Sequence, residues 1–369
     1  MNSQSAQSRR ALIMAGGTGG HVIPALSLAR ALQARGVDVE WLGSPRGIEN
    51  RLVPEANIPL HCIDVAGLRG NGAAGWLAAP WRLARAIGQA RRVIRRYDPQ
   101  LVVGMGGFAS GPGGLAARLS RRPLVIHEQN AVAGMTNQAL SRLATRVYAA
   151  FPGAFRKAGK AHREIVIGNP VRDAIAALGT VPRQAEAMRG RRLRLLVVGG
   201  SLGAVALNEC LPQALAHLDE DRRPEVRHQA GRGKEDATQQ GYVAANVEAE
   251  VSDFIDDMAA AYDWADMVVC RAGALTVAEL AAAAKPALFV PFPHAVDDHQ
   301  TANARHLVDA GAARLIPQTT LSAEGLAETL AAVLNPDVLA TMAGAARACA
   351  HLDAVDRLVA GCLEIGFEQ

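Results

Sequence analysis

A strand, a glycine-rich turn and a helix follow one another twice in this chain, about half a chain apart. The apolar run 11–15 precedes Gly16-Gly17-Thr18-Gly19-Gly20, and the apolar run 194–198 precedes Gly199-Gly200-Ser201-Leu202-Gly203. Short apolar runs alternate with longer amphipathic ones around both turns, which is typical of parallel strands joined by crossover helices. The repeat predicts an α/β protein of two similar domains, each with a doubly wound parallel sheet.

Most of the predicted strands are apolar runs bounded by turn residues. These are residues 11–15, 37–42, 101–104, 124–126 and 146–149 in the first half, and 194–198, 225–229, 251–254, 267–270, 287–290 and 314–316 in the second. A length of 369 residues suits two domains better than one. We place their boundary near Gly168-Asn169-Pro170-Val171-Arg172, ahead of the polar stretch 180–192.

Composition excludes several classes of protein. A net charge of +4, from 39 basic and 35 acidic side chains, is too small to indicate a nucleic-acid partner. Five scattered cysteines without a Cys-x-x-Cys pair indicate neither a disulfide framework nor a zinc knuckle. The longest charge-free stretch, 99–117, contains six glycines and two prolines and does not suit a spanning helix. Any contact with a membrane is therefore expected to be peripheral.

The first glycine turn predicts an anion site, because backbone N–H groups and the start of a helix both favour negative charge. The turn does not fit the dinucleotide fingerprint, since Val22 stands where the third glycine is required. Glu40 stands where a ribose-binding acid would be, so a nicotinamide cofactor remains an alternative. His21 follows the turn directly and is a candidate base near neutral pH, with a structural role as the alternative.

Further polar or glycine-rich segments follow the other first-half strands. Residues 104–114 hold six glycines in eleven positions, which favours close backbone approach to a diphosphate or a sugar. His127-Glu128-Gln129-Asn130 follows the strand 124–126, and Arg172 follows the boundary segment. The carboxyl ends of parallel strands border the ligand crevice, so we expect these side chains to face a ligand or to form interdomain hydrogen bonds.

A second anion site is predicted where a helix begins after the strand 267–270. The amides of Ala274, Leu275 and Thr276 would hold a diphosphate without a metal, and Glu279 would accept two ribose hydroxyls. The helix dipole alone also favours a glutamate there. Farther on, Asp297-Asp298-His299-Gln300 suits recognition of sugar hydroxyls. A metal site is not favoured, because no symmetric ligand set repeats.

Residues 75–96 form a basic amphipathic segment that contains two of the four tryptophans. Tryptophan beside arginine on a helix suits an anionic membrane surface, and an ordinary surface helix is the alternative. The residues expected at that surface are Trp76, Leu77, Trp81, Arg82 and Arg85. No aromatic-rich strand pattern supports RNA binding.

In this order, the motifs resemble those of the GT-B glycosyltransferase family, and within it the bacterial enzymes that add N-acetylglucosamine to lipid I to make lipid II. The segments that carry the resemblance are 16–21, 104–107, 127–130, 168–172, 199–201, 254–258 and 274–279. The resemblance implies two Rossmann-like domains facing across a cleft. Residues 8–170 with a returning helix, 350–366, would bind the acceptor and the membrane, and residues 171–349 would bind the UDP-sugar.

The resemblance also implies a donor site for UDP-N-acetylglucosamine. Phe254 would cap the uracil, the backbone of Ile255 would bind it, and either His299 or Gln300 would contact the sugar. The full implied donor set is Arg172, Ser201, Phe254, Ile255, Ala274, Leu275, Thr276, Val277, Ala278, Glu279, His299 and Gln300. Thr18, Gly19, Gly20 and Asn130 would face the transferred sugar or the acceptor diphosphate.

By the same resemblance, the reaction inverts the anomeric carbon in one displacement by the acceptor 4-hydroxyl. His21 is the preferred base and Glu128 the second candidate, with no cofactor and no metal expected. The enzyme would lie peripherally on the cytoplasmic face of the inner membrane, with the cell-wall or division machinery as an expected partner. The alternatives are a UDP-sugar epimerase of the same fold, a nicotinamide-dependent oxidoreductase and a non-catalytic membrane scaffold.

Overall fold

The computed structural model describes residues 8–65, 72–156, 164–182, 184–200 and 203–368. For residues 72–78 and Val296 the description covers the main chain only. Two compact units divide the chain: Met1–Pro170 with Asp353–Gln369 form the first, and Val171–Leu352 form the second.

The strands of the first unit are β1 (Arg9–Met14), β2 (Val37–Gly43), β3 (Leu60–Cys62), β4 (Leu101–Gly104), β5 (Leu124–Glu128), β6 (Arg146–Ala149) and β7 (Ile165–Val166). Those of the second are β8 (Arg194–Val198), β9 (Glu225–Gln229), β10 (Glu250–Ser252), β11 (Met267–Cys270), β12 (Ala287–Phe289) and β13 (Ala313–Leu315). The helices are α1 (Gly19–Gln33), α2 (Glu49–Glu55), α3 (Gly72–Tyr97), α4 (Ser110–Leu119), α5 (Met135–Ser141), α6 (Asp173–Ala176), α7 (Val205–Ala216), α8 (Glu235–Ala244), α9 (Met258–Trp264), α10 (Ala274–Ala282), α11 (His299–Val308), α12 (Ala323–Val333), α13 (Pro336–Ala348) and α14 (Ala354–Phe367).

The first unit is built on a seven-stranded parallel sheet in the order β3-β2-β1-β4-β5-β6-β7. Successive residues of β1 enter different cores: Ile13 packs in one and Leu12 in the other, both fully buried. A strand buried on both faces must be apolar throughout, which is why it appears as a continuous apolar run. The strand order reverses between β1 and β4, where ligands bind in such sheets.

The C-terminal helix α14 packs in the first unit. Leu358, Cys362 and Ile365 are buried in the core that contains the apolar face of α1. Arg146 on β6 forms a bidentate ion pair with Glu364, with nitrogen–oxygen distances of 2.6 and 2.9 Å. The last helix thereby completes one face of the first sheet.

The second unit repeats the topology in a six-stranded parallel sheet, ordered β10-β9-β8-β11-β12-β13. Leu195 and Val197 of β8 pack with residues of α7 and α12 in its core. The predicted pair of doubly wound parallel sheets is therefore confirmed. Differences are local: β5 runs two residues past its predicted end, β10 spans 250–252 instead of 251–254, and the short strands β3 and β7 were not predicted.

Among the described residues, no single helix has both the length and the apolar character needed to span a membrane. Helices α12 and α13, bent by 87° at their junction, meet the criterion only as a pair, by length and composition alone.

Candidate active site

The glycine turns after β1 and β4 pack against each other around His21. Gly106 and Gly107 have φ of +91° and +85°, a region that favours glycine. A Cβ at Gly106 would lie 2.6 Å from His21 Cδ2, and a Cβ at Gly107 would overlap the Gly16 carbonyl. Glycine is therefore required at both positions for the His21 ring to lie at the carboxyl ends of β1 and β4.

The predicted acceptor residues of the first turn lie together. Thr18 is the exposed N-cap residue of α1, and its carbonyl accepts from the His21 amide at 3.1 Å. Its side chain makes no capping hydrogen bond. Gly19 and Gly20 form the partly exposed first turn. The structure thus brings Thr18, Gly19, Gly20 and His21 to one helix start at the switch point of the sheet.

Glu128, the second candidate base, is buried and hydrogen-bonded to the loop after β5. It belongs to β5 rather than to the loop after it, and it is only 3% exposed. Its Oε1 accepts from the Asn130 amide at 2.9 Å, and its Oε2 accepts from Asn137 Nδ2 at 2.8 Å and from the Gly134 amide at 3.3 Å. A buried carboxylate with these donors holds a loop in place, so the contacts argue against the second-choice base. Through the bond to the Asn130 amide, Glu128 also positions Asn130.

The neighbouring polar side chains of that segment also have structural contacts. His127 is fully buried, and its Nε2 bonds the Gly168 carbonyl at 2.9 Å. Burial lowers the pKa of His127 to about 4 and keeps the ring neutral. Gln129 donates to the Met105 carbonyl at 2.8 Å. We expected these side chains to face a ligand or an interdomain contact, and instead they join loops within the first unit.

In the second unit, the start of α10 presents the predicted diphosphate amides. The first intrahelical bond runs from the Val277 amide to the Gly273 carbonyl, so Leu275 and Thr276 precede the hydrogen-bonded ladder. Val277, which the resemblance places in the donor set, is fully buried, and its amide bonds the Gly273 carbonyl. Ala278 lies in the second turn, where amides are bonded within the helix. Residues 274–276 therefore remain the predicted diphosphate site.

Glu279 is only 4% exposed and is held from two sides. Arg172 donates to its Oε1, and the Tyr262 hydroxyl donates to its Oε2 at 3.3 Å. Burial raises the pKa of Glu279 above its ordinary value, while Arg172 opposes that rise. Burial also raises the pKa of Tyr262, so its hydroxyl remains a donor. The sequence analysis missed Tyr262, because its relation to Glu279 depends on the packing of α9 against the site.

The remaining donor residues occupy loops at the carboxyl ends of the second sheet. Phe254 is 51% exposed and Ile255 is half-buried, which leaves the Phe254 ring available for stacking. Gln229 joins this segment to the second glycine turn, since its Nε2 donates to the Gly200 carbonyl at 3.0 Å and the Asp253 carbonyl at 2.8 Å. Ser201 lies outside the described residues.

His299 and Gln300 begin α11 and are both half-buried. The Gln300 Oε1 accepts from the Phe292 amide at 2.9 Å and the Ala272 amide at 3.3 Å. These two bonds fix the orientation of the Gln300 side-chain amide. No group of three or more His, Cys, Asp or Glu that suits a metal occurs within the described part of the chain.

On α3, the arginines and one tryptophan predicted for a membrane surface are exposed. Trp81 is 77% exposed, Arg82 is exposed, and Arg85 forms an ion pair of 3.1 Å with Asp64. The opposite face of the helix buries Ala86, Ala90 and Ile94 in the core. The side chains of Trp76 and Leu77 lie outside the described residues.

Both units match known domains. The glycosyltransferase family 28 N-terminal domain matches residues 11–149, and the glycosyltransferase family 28 C-terminal domain matches residues 194–358. The Chromohalobacter salexigens UDP-N-acetylglucosamine--N-acetylmuramyl-(pentapeptide) pyrophosphoryl-undecaprenol N-acetylglucosamine transferase is 76% identical over 355 residues, which cover 96% of each chain. The Azotobacter vinelandii transferase of the same name is 56% identical, covering 96% of this chain and 98% of that one. The crystal structure of Acinetobacter baumannii MurG is 44% identical, with a TM-score of 0.83, over 96% of this chain and 99% of that one.

This chain belongs to the MurG family. It is therefore a glycosyltransferase, and its fold is that of the GT-B enzymes, as the resemblance implied. A UDP-N-acetylglucosamine 2-epimerase from Listeria monocytogenes shares the fold, with a TM-score of 0.68, at 18% identity. Because the relatives at 56–76% identity are transferases, the epimerase alternative is not favoured. Membership of the MurG family also removes the support for the oxidoreductase and scaffold alternatives.

Proposed function

We propose that this chain transfers N-acetylglucosamine from UDP-N-acetylglucosamine to the muramyl 4-hydroxyl of lipid I, forming lipid II for peptidoglycan synthesis. The observation that carries the proposal is the 76% identity, over 96% of both chains, to a transferase named for that reaction. The second unit would bind the donor and the first would bind the acceptor.

The proposed donor site combines the amides at the start of α10 with the residues around Glu279. The amides at 274–276 would hold the diphosphate, and the Glu279 carboxylate would accept the ribose hydroxyls. Phe254 would stack on the uracil, with the Ile255 backbone beside it. The half-exposed Phe254 ring supports its role, and the donors Arg172 and Tyr262 orient the Glu279 carboxylate.

The proposed reaction is a single displacement with inversion. The acceptor 4-hydroxyl oxygen bonds to the anomeric carbon as the bond from that carbon to the diphosphate oxygen breaks. His21 takes the hydroxyl proton, and the electron pair leaves with UDP, whose growing charge the α10 amides stabilise. The placement of His21 at the switch point, beside Thr18, Gly19 and Gly20, supports this assignment.

We also propose that the enzyme binds peripherally to the cytoplasmic face of the inner membrane through the exposed face of α3. Trp81, Arg82 and Arg85 would contact anionic headgroups, and the exposure of these side chains supports the role. An undecaprenyl-linked acceptor resides in a membrane, so docking at this face would place the enzyme beside its substrate.

The experiment that tests the proposed function is mass analysis of products formed from UDP-N-acetylglucosamine and a lipid I analogue. The proposal predicts that the analogue gains one N-acetylglucosamine residue and that UDP appears in equal amount. Conversion of the donor to a UDP-sugar epimer without acceptor glycosylation would instead support the epimerase. The same assay with a muramyl 4-deoxy analogue should give no product, because the attacking oxygen is missing.

A further inference from the structure

Glu49, the first residue of α2, is fully buried at the side of the first sheet. Its Oε2 accepts from the Gly17 amide at 2.9 Å. Its Oε1 accepts from the Ser44 amide at 3.1 Å and from the Ser44 hydroxyl at 2.8 Å. One carboxylate thus joins the glycine turn after β1 to the loop after β2.

Three glycines make the space that this carboxylate occupies. A Cβ at Gly16 would lie 2.5 Å from Glu49 Oε1, a Cβ at Gly43 would lie 3.0 Å from Glu49 Cγ, and a Cβ at Gly47 would overlap the carboxylate. Removing a carboxylate from water is unfavourable unless hydrogen bonds compensate for the lost hydration. Its three donors supply that compensation, so the contact is a built feature of the fold.

The orientation of the Gly17 peptide is what Glu49 determines. Gly17 has φ of +91°, and its N–H points to Glu49 rather than to the side where Thr18 and Gly19 begin the helix. Gly107 packs directly on Gly16, and Gly106 packs on the His21 ring. A rotation of the Gly17 peptide would therefore disturb both glycine turns and the histidine between them.

We propose that Glu49 is a positioning residue for the acceptor site: by holding the Gly17 amide, it sets the conformation of residues 16–20 and the position of His21. The proposal rests on the proposed function, which assigns this turn to the acceptor and His21 to the base. Glu49 itself touches neither substrate.

The test is Glu49→Gln, with steady-state kinetics and donor binding measured separately. A glutamine has only one carbonyl oxygen, so its NH₂ group must face either the Gly17 amide or the Ser44 amide, and one donor is left unpaired. We expect kcat/KM for a lipid I analogue to fall by roughly tenfold or more. The Kd for UDP-N-acetylglucosamine should stay unchanged, because the proposed donor residues belong to the second unit.

Glu164→Gln is the matched control. Glu164 also accepts from two backbone amides, those of Gly153 and of Phe155, in the same unit and away from the glycine turns. For Glu164→Gln we expect a loss of thermal stability similar to that of Glu49→Gln, with kcat/KM for the lipid I analogue unchanged. If both variants lower acceptor kinetics in proportion to their loss of stability, Glu49 is merely structural and the proposal fails.

Two further measurements keep the proposal open to refutation. Ser44→Ala removes only the hydroxyl donor to Glu49, so we expect a smaller fall in kcat/KM for the lipid I analogue. This variant provides the test even if Glu49→Gln does not fold. Amide hydrogen exchange at residues 16–21 should accelerate in Glu49→Gln or Ser44→Ala relative to wild type, and unchanged exchange there would overturn the proposal. Failure of the wild type to glycosylate the analogue would count against the proposed function instead, since the exchange measurement does not depend on turnover.

Discussion

Arg172 donates two hydrogen bonds to one carboxylate oxygen of Glu279, from Nε at 3.2 Å and from Nη2 at 2.8 Å. The guanidinium is partly exposed and the carboxylate is nearly buried. Burial alone would favour the protonated carboxyl, and the arginine opposes that tendency. Arg172 thereby favours the ionised form of Glu279, which accepts hydroxyl donors.

The first prediction concerns this ion pair. Arg172→Gln should weaken UDP binding by roughly tenfold or more, because a buried carboxylate loses its charged partner. The pKa of Glu279 should rise in the variant, so binding should weaken further as the pH falls from about 8 to about 6. Isothermal titration calorimetry with UDP at both pH values measures this affinity. Arg189→Gln removes an exposed ion pair with Asp337 and should leave UDP affinity unchanged at either pH. If Arg172→Gln bound UDP with wild-type affinity at both pH values, the proposed role of Arg172 would be contradicted.

The second prediction concerns the hydroxyl on the other side of Glu279. Tyr262→Phe removes the donor to Oε2 and should weaken UDP binding by roughly threefold to tenfold. A 2′-deoxyribose or 3′-deoxyribose analogue of UDP should be less sensitive to the substitution, since it makes fewer bonds to the same carboxylate. Tyr242→Phe is the control, because that buried hydroxyl bonds His228 Nδ1 at 2.9 Å in the same unit. Equal effects of both substitutions on UDP affinity would show a general loss of packing.

Gly361 on α14 lies against the Tyr148 ring of β6, where an added Cβ would overlap the tyrosine hydroxyl. Gly361→Ala should therefore lower the free energy of unfolding by about 1–3 kcal/mol through overpacking. Gly344→Ala on α13 has open space around the added methyl and should be neutral or stabilising by up to about 1 kcal/mol. Thermal unfolding of the two variants and the wild type measures these differences in the free energy of unfolding. An unaffected Gly361→Ala variant would mean that α14 is not docked on the first sheet.

Membrane docking can be tested on vesicles. Replacing Trp81 by Ala and both Arg82 and Arg85 by Gln should weaken binding to vesicles with anionic lipid by about 1 kcal/mol per arginine, plus the loss from Trp81. The matched control replaces two exposed arginines of the second unit, Arg222 and Arg347, by Gln. Flotation or sedimentation measures binding, and added salt should reduce wild-type binding. If the α3 variant and the control variant lost vesicle binding equally, the attraction would be non-specific and the α3 face would not be the docking surface.

The doubly wound sheets were predictable because a strand buried on both faces must be apolar along its length. That is why β4, β6, β8 and β11 have the bounds that the sequence predicted. The end of β5 was not predictable, since His127 and Glu128 are polar residues buried by hydrogen bonds to distant loops. The short strands β3 and β7 carry too few residues to show a periodicity.

Candidate site residues at glycine turns could be found from sequence because the turn chemistry is local. Tyr262 and Glu49 could not be found, because each acts on a group 17 or 32 residues away along the chain. The resemblance implied Val277 in the donor set, and only the helix register shows that its amide bonds the Gly273 carbonyl. Local motifs thus locate a site, whereas the residues that maintain its shape can be identified only from tertiary contacts.

The most direct test of the whole account is UDP release from UDP-N-acetylglucosamine, with and without a lipid I analogue, in the presence of EDTA. Wild-type enzyme, His21→Ala and a control with the exposed His217 replaced by Ala are compared. The account predicts acceptor-dependent release that survives EDTA, is unchanged in His217→Ala and falls by more than about 10²-fold in His21→Ala. Undiminished release in His21→Ala would exclude that histidine as the base. Release that does not depend on the acceptor would contradict the account as a whole.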